Sequence, residues 1–333
     1  MPHSYPVRFL GTGSYLPVER VTSAALDERY GRAAGSTAAC SGVEARHYAG
    51  PAETSSFMAA RALGQALAAS GLAGTDLDLI VAASVLPEQP MPTNAVLVQR
   101  ALGLDGAGIP GFDINASCLG FLLAVEVAAL GIAAGRYRRV GIVASEVASK
   151  GIDSSDLETS SLFGDGAAAA VLGAASGEPS GSIDALRCAT YSRGAYLCQI
   201  AAGGSRYNVV TPPPRPQDYL FQMDGRAVFR LAVEKLPRFV SEVLAEAGCT
   251  PDEIDLVIPH QASCLGLRYL RERLGFPASK VVDILAERGN QVSASMPSAL
   301  HEAVSGGRLQ RGQRALLLGT AAGLTLGAAV VRF

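Results

Sequence analysis

The chain has 333 residues, of which 49 % are hydrophobic and 17 % charged, and its formal net charge at pH 7 is −2. It contains no block of basic residues and no apolar run of the ~20 residues that a membrane helix needs, so neither nucleic acid nor a membrane is an expected partner. The N-terminal residues lack the pattern of a signal peptide, which predicts a cytoplasmic protein.

The six cysteines form no Cys-x-x-Cys pair, the spacing typical of zinc sites and thioredoxin-like centres. Without a secretory signal, we expect free thiols in a reducing compartment. Five of the six are expected to be small buried side chains. The sequence gives no reason to expect a metal or any other cofactor.

Apolar runs alternate with helical patterns through the first half of the chain. Near-continuous apolar strands are typical of a sheet that is covered on both faces. Thr54 or Ser55 is the expected N-cap of the first long helix. Strands are predicted at 7–13, 77–85, 109–115, 138–146 and 167–173, and helices at 54–70, 94–102 and about 118–135.

The second half repeats the β-α-β order, which predicts two similar α/β units over residues 1–175 and 176–333. Pro237 is expected to kink or end the helix that contains it. The segment TPPPRPQDY (211–219) is predicted to be a rigid loop between the halves or over a cleft. Helices are predicted at 224–247, 263–274 and 296–305, and strands at 255–262 and, as a pair, at 314–333.

Three polar residues occupy junctions between these elements. Cys118 follows a predicted strand at the start of a predicted helix, where backbone N–H groups favour a thiolate that could accept an acyl group. His260 ends a second strand, and Asn290 lies in a loop of small residues before a third helix. Taken singly, each has an ordinary structural explanation: a small buried thiol, a hydrogen-bonded loop histidine and a Gly-Asn turn. Together they could converge on one pocket.

The motifs around these residues resemble those of the β-ketoacyl-ACP synthase III family of the thiolase superfamily. Several motifs in the family's order, over nearly the whole chain, are more specific than any one of them. The motifs are GTGSYLP (11–17), SGVEARHYAGPAET (41–54), FDINASCLGF (112–121), LFGDGAAAAVL (162–172), FQMDGRAVF (221–229), IPHQA (258–262), GNQVSASMPSAL (289–300) and the terminal GAAVVRF.

The resemblance implies a thiolase-like αβαβα layered α/β fold made of two similar halves, usually as a homodimer. It also implies a reaction in which Cys118 takes an acyl group from an acyl-CoA or acyl-ACP donor. His260 and Asn290 then donate hydrogen bonds to the thioester carbonyl of malonyl-ACP (or malonyl-CoA), which loses carbon dioxide and attacks the acyl group. The N–H groups of Cys118 and Ala322 are the implied oxyanion hole.

The resemblance further assigns residues to substrate and carrier binding. Met91, Ala148 and Met223 are the implied residues of the acyl pocket, with Met91 at the position of a family aromatic that reaches into the pocket of the second subunit. Arg268, Arg271 and Arg273 are the candidates for docking the acidic carrier protein.

The substrate-binding surface departs from the family pattern. The chain has no Trp, although the family stacks the CoA adenine between a Trp and an Arg. The family's Phe-Gly-Gly-Gly, whose Phe lies near the His, becomes Thr320-Ala321-Ala322-Gly323. The other substituted positions are Ser36, Cys40, Leu157, Leu265 and Glu272.

These departures leave alternatives open. The leading hypothesis is decarboxylative condensation, and the second is acyl transfer to an alcohol, an amine or a carrier protein without condensation, with His260 as general base. A non-catalytic partner subunit is disfavoured because the Cys118 nucleophile is present. A chalcone-synthase-like enzyme is disfavoured because such chains are longer and lack the GDGA and C-terminal motifs in this form.

Overall fold

The computed structural model describes residues 4–175 and 181–333. The strands are β1 Val7–Tyr15, β2 Glu19–Thr22, β3 Ala45–Tyr48, β4 Leu79–Ala82, β5 Gly111–Asp113, β6 Arg139–Glu146, β7 Gly166–Ala174, β8 Ser182–Thr190, β9 Cys198–Gln199, β10 Gln222–Met223, β11 Leu256–Pro259, β12 Arg314–Ala321 and β13 Thr325–Arg332. The helices are α1 Ser23–Arg29, α2 Ser36–Ser41, α3 Ser55–Ser70, α4 Asn94–Ala101, α5 Gly120–Ala133, α6 Leu157–Leu162, α7 Gly225–Glu246, α8 Cys264–Glu272, α9 Leu285–Arg288 and α10 Ser295–Ser305.

Two large sheets with related topologies organise the chain. The first has the order β1-β7-β6-β4-β5, with β4 parallel to β5 and β6 and the remaining pairs antiparallel. The second has the order β8-β13-β12-β11, with β11 parallel to β12 and the remaining pairs antiparallel. Each sheet uses strands from one half only. The proposed boundary between residues 175 and 176 lies between the last strand of the first sheet and the first strand of the second sheet. Residues 176–180, which follow this boundary, are outside the described part of the chain.

The sheets and helices form five layers. The central layer holds α5 and α10, whose apolar side chains pack between the inner faces of both sheets. Outside the first sheet lie α3 and α4, and outside the second lie α7 and α8. Alternate residues of one strand therefore enter different cores: Val81 faces the central layer and Ile80 faces α3 and α4. Burial on both faces explains the near-continuous apolar runs of the sequence.

Two local predictions can be compared with the structure in detail. Thr54 caps α3, and its side chain accepts the Phe57 N–H. Helix α7 continues through Pro237, so the interpretation of Pro237 as a helix boundary is wrong. Proline lacks the N–H that would bind the carbonyl of Val233 four residues earlier. The hydroxyl of Tyr269 approaches that carbonyl at 3.4 Å, which satisfies part of the lost hydrogen bond.

The sequence prediction missed several elements. The edge strand β8 is half exposed, and its mixed polar pattern lacks the apolar run that predicts the buried strands of the two large sheets. The pair β2–β3 and the short helices α1 and α2 were also missed. Within 211–219 the structure has one 3₁₀ turn, Pro216–Tyr219. None of the described helices is long and apolar enough to cross a membrane.

Candidate active site

The segment before α5 presents Cys118 in a strained turn. Ser117, immediately before it, has a φ of 51°, and its N–H donates to Asn115 Oδ1 at 3.0 Å. Among the described residues, only Ser117 and Val292 are non-glycine residues with a positive φ. Such backbone conformations cost about 1–3 kcal/mol and occur preferentially at functional sites. Each of the two lies within two residues of a predicted catalytic side chain.

His260 lies where β11 ends beside β12. The backbone N–H of His260 donates to the carbonyl of Leu318 at 2.8 Å, and the residue is 5 % exposed. Gly319 of β12 packs directly against it, because a Cβ at that position would lie 2.9 Å from the His260 Cβ. A side chain at residue 319 would therefore displace the imidazole or the strand.

Hydrogen bonds fix the orientation of the Asn290 amide. Its Oδ1 accepts the Val292 N–H at 2.8 Å and the Ser295 hydroxyl at 3.3 Å. Because a backbone N–H can only donate, the amide atom that faces the Val292 N–H is the oxygen, and the other amide atom is the nitrogen. This Nδ2 donates to the carbonyl of Ala262 at 3.3 Å, which leaves its second N–H for a ligand.

One cavity of about 470 Å³ brings these three residues together. Its walls also include Thr320 and Ala322, from the end of β12 and the turn that follows. Of the predicted acyl-pocket residues, Ala148 and Met223 line the cavity. Among the described residues, neither the Cys118 N–H nor the Ala322 N–H donates to an acceptor in a turn or loop.

The electrostatics of the site differ from the sequence prediction. Burial raises the pKa of the Cys118 thiol to about 12, and the nearby Cys198 and Glu146 add to this effect. This rise outweighs the lowering expected at a helix N-terminus, and α5 begins at Gly120, two residues after Cys118. Burial also lowers the pKa of His260 to about 4. The thiol and the imidazole are therefore both neutral at pH 7.

The remaining cysteines also depart from expectation. Cys40, Cys188 and Cys264 are exposed and Cys249 is buried, while Cys198 is partly buried in the cavity wall. The expectation that five thiols would be small buried side chains is therefore wrong. The exposed thiols lie on short or peripheral elements, namely α2, the edge strand β8 and the first turn of α8. No cluster of metal-ligating side chains is found among the described residues.

Several predicted binding residues lie outside the cavity. Met91 is 83 % exposed and does not line the cavity of its own chain, so a role in an acyl pocket requires a second subunit. Arg268 and Arg273 are exposed at α8, and Arg271 donates to Asp283 at 2.5 Å.

The positions that depart from the family's CoA-binding pattern lie on neighbouring elements. Helix α2, which carries Ser36 and Cys40, packs against α6, which begins at Leu157. Cys40 is exposed, and Leu157 is 36 % exposed. Their surface therefore presents a hydroxyl, a thiol and an alkyl group.

The cavity also contains a carboxyl group that the sequence prediction missed. Glu146 ends β6, is 1 % exposed and lines the cavity. Burial raises the pKa of its carboxyl group to about 7. A sequence signal was present, since Glu146 is the only acidic residue of the predicted strand 138–146 and stands at its carboxyl end.

Comparison with known proteins gives consistent matches. The family described as 3-oxoacyl-[acyl-carrier-protein (ACP)] synthase III matches residues 112–192, and its C-terminal domain matches residues 244–333. The 3-oxoacyl-[acyl-carrier-protein] synthase III of Aquifex aeolicus VF5 is 33 % identical with a TM-score of 0.88, over 98 % of this chain and 100 % of that chain. The enzyme of the same name from Pseudomonas aeruginosa PAO1 is 31 % identical with a TM-score of 0.87, over 98 % of each chain.

A third solved structure, the priming β-ketosynthase of the R1128 polyketide biosynthetic pathway, is 30 % identical with a TM-score of 0.88, over 99 % of this chain and 97 % of that chain. These matches extend over almost the whole length of each protein, and the layers described above are those of a thiolase-like αβαβα fold. The chain belongs to the 3-oxoacyl-[acyl-carrier-protein] synthase III family of condensing enzymes.

Proposed function

We propose that this enzyme joins an acyl group, carried as a thioester on Cys118, to a malonyl group carried by ACP. The observation that supports this proposal is the single cavity that contains Cys118, His260 and Asn290. In the first step, a bond forms between Cys118 Sγ and the acyl carbon of an acyl-CoA or acyl-ACP donor. The bond from that carbon to the donor sulfur breaks, and the thiol proton leaves with the donor thiol. The N–H groups of Cys118 and Ala322 stabilise the oxyanion.

In the second step, the malonyl thioester loses carbon dioxide. Negative charge develops on its carbonyl oxygen, where His260 and Asn290 donate hydrogen bonds. Removal of one preorganised donor of this type costs about 3 kcal/mol of transition-state stabilisation. The resulting carbanion attacks the acyl carbon, the bond from that carbon to Cys118 Sγ breaks, and the released thiolate takes a proton from solvent. The product is a β-ketoacyl thioester.

The low pKa of His260 supports its role as a neutral donor. With a pKa of about 4, the imidazole carries one N–H and no net charge throughout the physiological pH range. Its one N–H can therefore be donated to the developing enolate by a neutral ring. The free N–H of Asn290 supplies a second donor. Two donors suit a reaction that places charge on the malonyl carbonyl oxygen. The similarity of the chain to condensing enzymes does not favour simple acyl transfer.

A homodimer belongs to the same proposal. Strand β5 lies at the edge of the first sheet, with Gly111 and Phe112 exposed. An exposed strand edge offers unpaired backbone groups to a second copy of the chain. Met91, exposed in the loop after β4, would then be free to enter the acyl pocket of the second subunit.

The carrier protein would dock at a different surface. Arg268 and Arg273 are the exposed basic residues proposed for this role, and Arg271 is already paired with Asp283. The proposed function includes a cytoplasmic location for the reaction.

An Asn290→Ala variant tests the assignment of roles. We expect acylation of Cys118 to remain largely intact and condensation to be abolished, because Asn290 acts only on the malonyl thioester. Mass spectrometry of the intact protein reports acylation, and release of carbon dioxide reports condensation. Asn208→Ala is the matched control, because Asn208 forms a turn outside the cavity through Val210 and Thr211. An equal loss of both steps in Asn290→Ala would contradict the role given to Asn290.

A further inference from the structure

Glu146 is buried in the wall of the active-site cavity, yet the proposed reaction gives it no step. Its Oε1 accepts the Val85 N–H at 2.7 Å and the hydroxyl of Ser293, and its Oε2 faces the Leu86 N–H at 3.4 Å. Among the described residues, no basic side chain forms an ion pair with Glu146. A buried carboxyl group without a cation is costly unless hydrogen bonds satisfy it. Those hydrogen bonds therefore show what the carboxyl group holds in place.

On one side, the hydrogen bonds lead to Cys118. Val85, whose N–H binds Glu146, accepts the Asn115 side-chain amide at its carbonyl at 3.3 Å. Asn115 Oδ1 in turn accepts the Ser117 N–H at 3.0 Å, which fixes the orientation of this amide. Ser117 has the positive φ of the turn before Cys118. A strained turn persists only where its surroundings hold it, and this series of hydrogen bonds holds this one.

On the other side, the same carboxyl oxygen leads to Asn290. Ser293, whose hydroxyl donates to Glu146 Oε1, is fully buried in the single turn Val292–Ala294. Val292, with a φ of 52°, donates its N–H to Asn290 Oδ1 at 2.8 Å. The two strained positions of the described chain are therefore joined through one carboxyl oxygen, although Ser117 and Val292 are far apart in the sequence.

We infer that Glu146 is a positioning residue, whose buried carboxyl group holds the turn that presents Cys118 and the segment that presents Asn290 in one arrangement. The inference rests on the proposed function, which assigns Cys118 and Asn290 to successive steps at one acyl carbon. Glu146 acts through Val85 and Ser293 and needs no contact with the reacting atoms. A displacement of about 1 Å at a reacting group costs ~10²-fold in rate, so this connection affects both steps.

The test compares Glu146→Ala with Glu146→Gln. Glutamine keeps the Oε1 acceptor for Val85 and Ser293 and loses only the longer hydrogen bond, which Oε2 accepts from the Leu86 N–H at 3.4 Å. We expect Glu146→Ala to lower kcat for acylation and for condensation by ~10²-fold with little change in KM. Glu146→Gln should recover most of both rates. Glu126→Ala is the matched control, because Glu126 is a half-buried acid of α5 that does not line the cavity.

Equal losses in Glu146→Ala and Glu146→Gln would overturn the inference, because charge and not hydrogen bonding would then be the important property. Wild-type rates in Glu146→Ala would overturn it as well. The same assay measures acylation and condensation by the wild-type chain. If the proposed function is wrong, the wild-type chain lacks these activities, and this result is distinct from a failure of the positioning role.

Ser293→Ala provides a milder test in case Glu146→Ala does not fold. This variant removes only the hydrogen bond on the Asn290 side. We expect condensation to fall about tenfold, a smaller loss than full misplacement causes, while acylation of Cys118 changes less than twofold. Equal effects on the two steps, or no effect on either, would contradict the inference.

Discussion

The close packing of Gly319 against His260 gives a prediction that separates catalytic geometry from general stability. In Gly319→Ala the new Cβ would lie 2.9 Å from the His260 Cβ, 3.0 Å from Leu119 Cδ2 and 3.2 Å from Met296 Cε. Ordinary contacts between such atoms begin near 3.4 Å, so the imidazole or β12 must move by at least about 0.5 Å. Because ~1 Å of misplacement costs ~10²-fold, condensation should fall by roughly 10-fold to 100-fold.

Gly327 provides the matched control, because it is paired with Gly319 across β12 and β13. A Cβ at Gly327 would meet Leu119 Cδ1 at 2.8 Å, Leu122 Cδ2 at 2.9 Å and Cys188 Sγ at 3.2 Å, all at the ends of side chains. Both variants should lose about 1–3 kcal/mol of stability from overpacking, measured by denaturant unfolding. Only Gly319→Ala should lose condensation, with Cys118 acylation largely kept. An equal loss of condensation in Gly327→Ala would refute the reasoning.

Two further predictions concern pH and the carrier protein. The raised pKa of Glu146 means that its contribution to stability is present below about pH 4.5 and is lost as pH rises through about 7. The unfolding free energy of Glu146→Gln relative to wild type should therefore increase by about 3 kcal/mol between pH 4.5 and pH 8, and a constant difference would contradict the shift. For Arg268→Glu and Arg273→Glu, KM for malonyl-ACP should rise about tenfold at low salt while KM for malonyl-CoA stays unchanged. Equal changes with both substrates would exclude these residues from carrier docking.

The sequence was most informative where local patterns and burial agree. Strands β6 and β7 were predicted because both faces of the first sheet are covered by helices, which confines the polar residues of β6 to its two ends and leaves none in β7. The start of α3 was predicted because Thr54 is a strong N-cap. The motifs around Cys118, His260 and Asn290 were recognised together, since the family places them in this order.

The sequence was least informative where a property depends on distant segments. The pKa of Cys118 depends on burial by a cavity whose walls include Cys198 and Glu146. No local pattern around Cys118 reports those neighbours, and the local helix signal pointed in the opposite direction. The hydrogen bonds of Glu146 to Val85 and Ser293 likewise join segments that are not adjacent in the sequence. Only the three-dimensional structure relates them.

Mass spectrometry of the intact protein tests the central claim most directly. The chain is incubated with a panel of acyl-CoA and acyl-ACP donors and then with malonyl-ACP. We expect an acyl adduct on Cys118 that disappears when malonyl-ACP is added, together with release of carbon dioxide and formation of a β-ketoacyl-ACP. An adduct that persists with malonyl-ACP but is discharged by an alcohol or an amine, without release of carbon dioxide, would contradict the account.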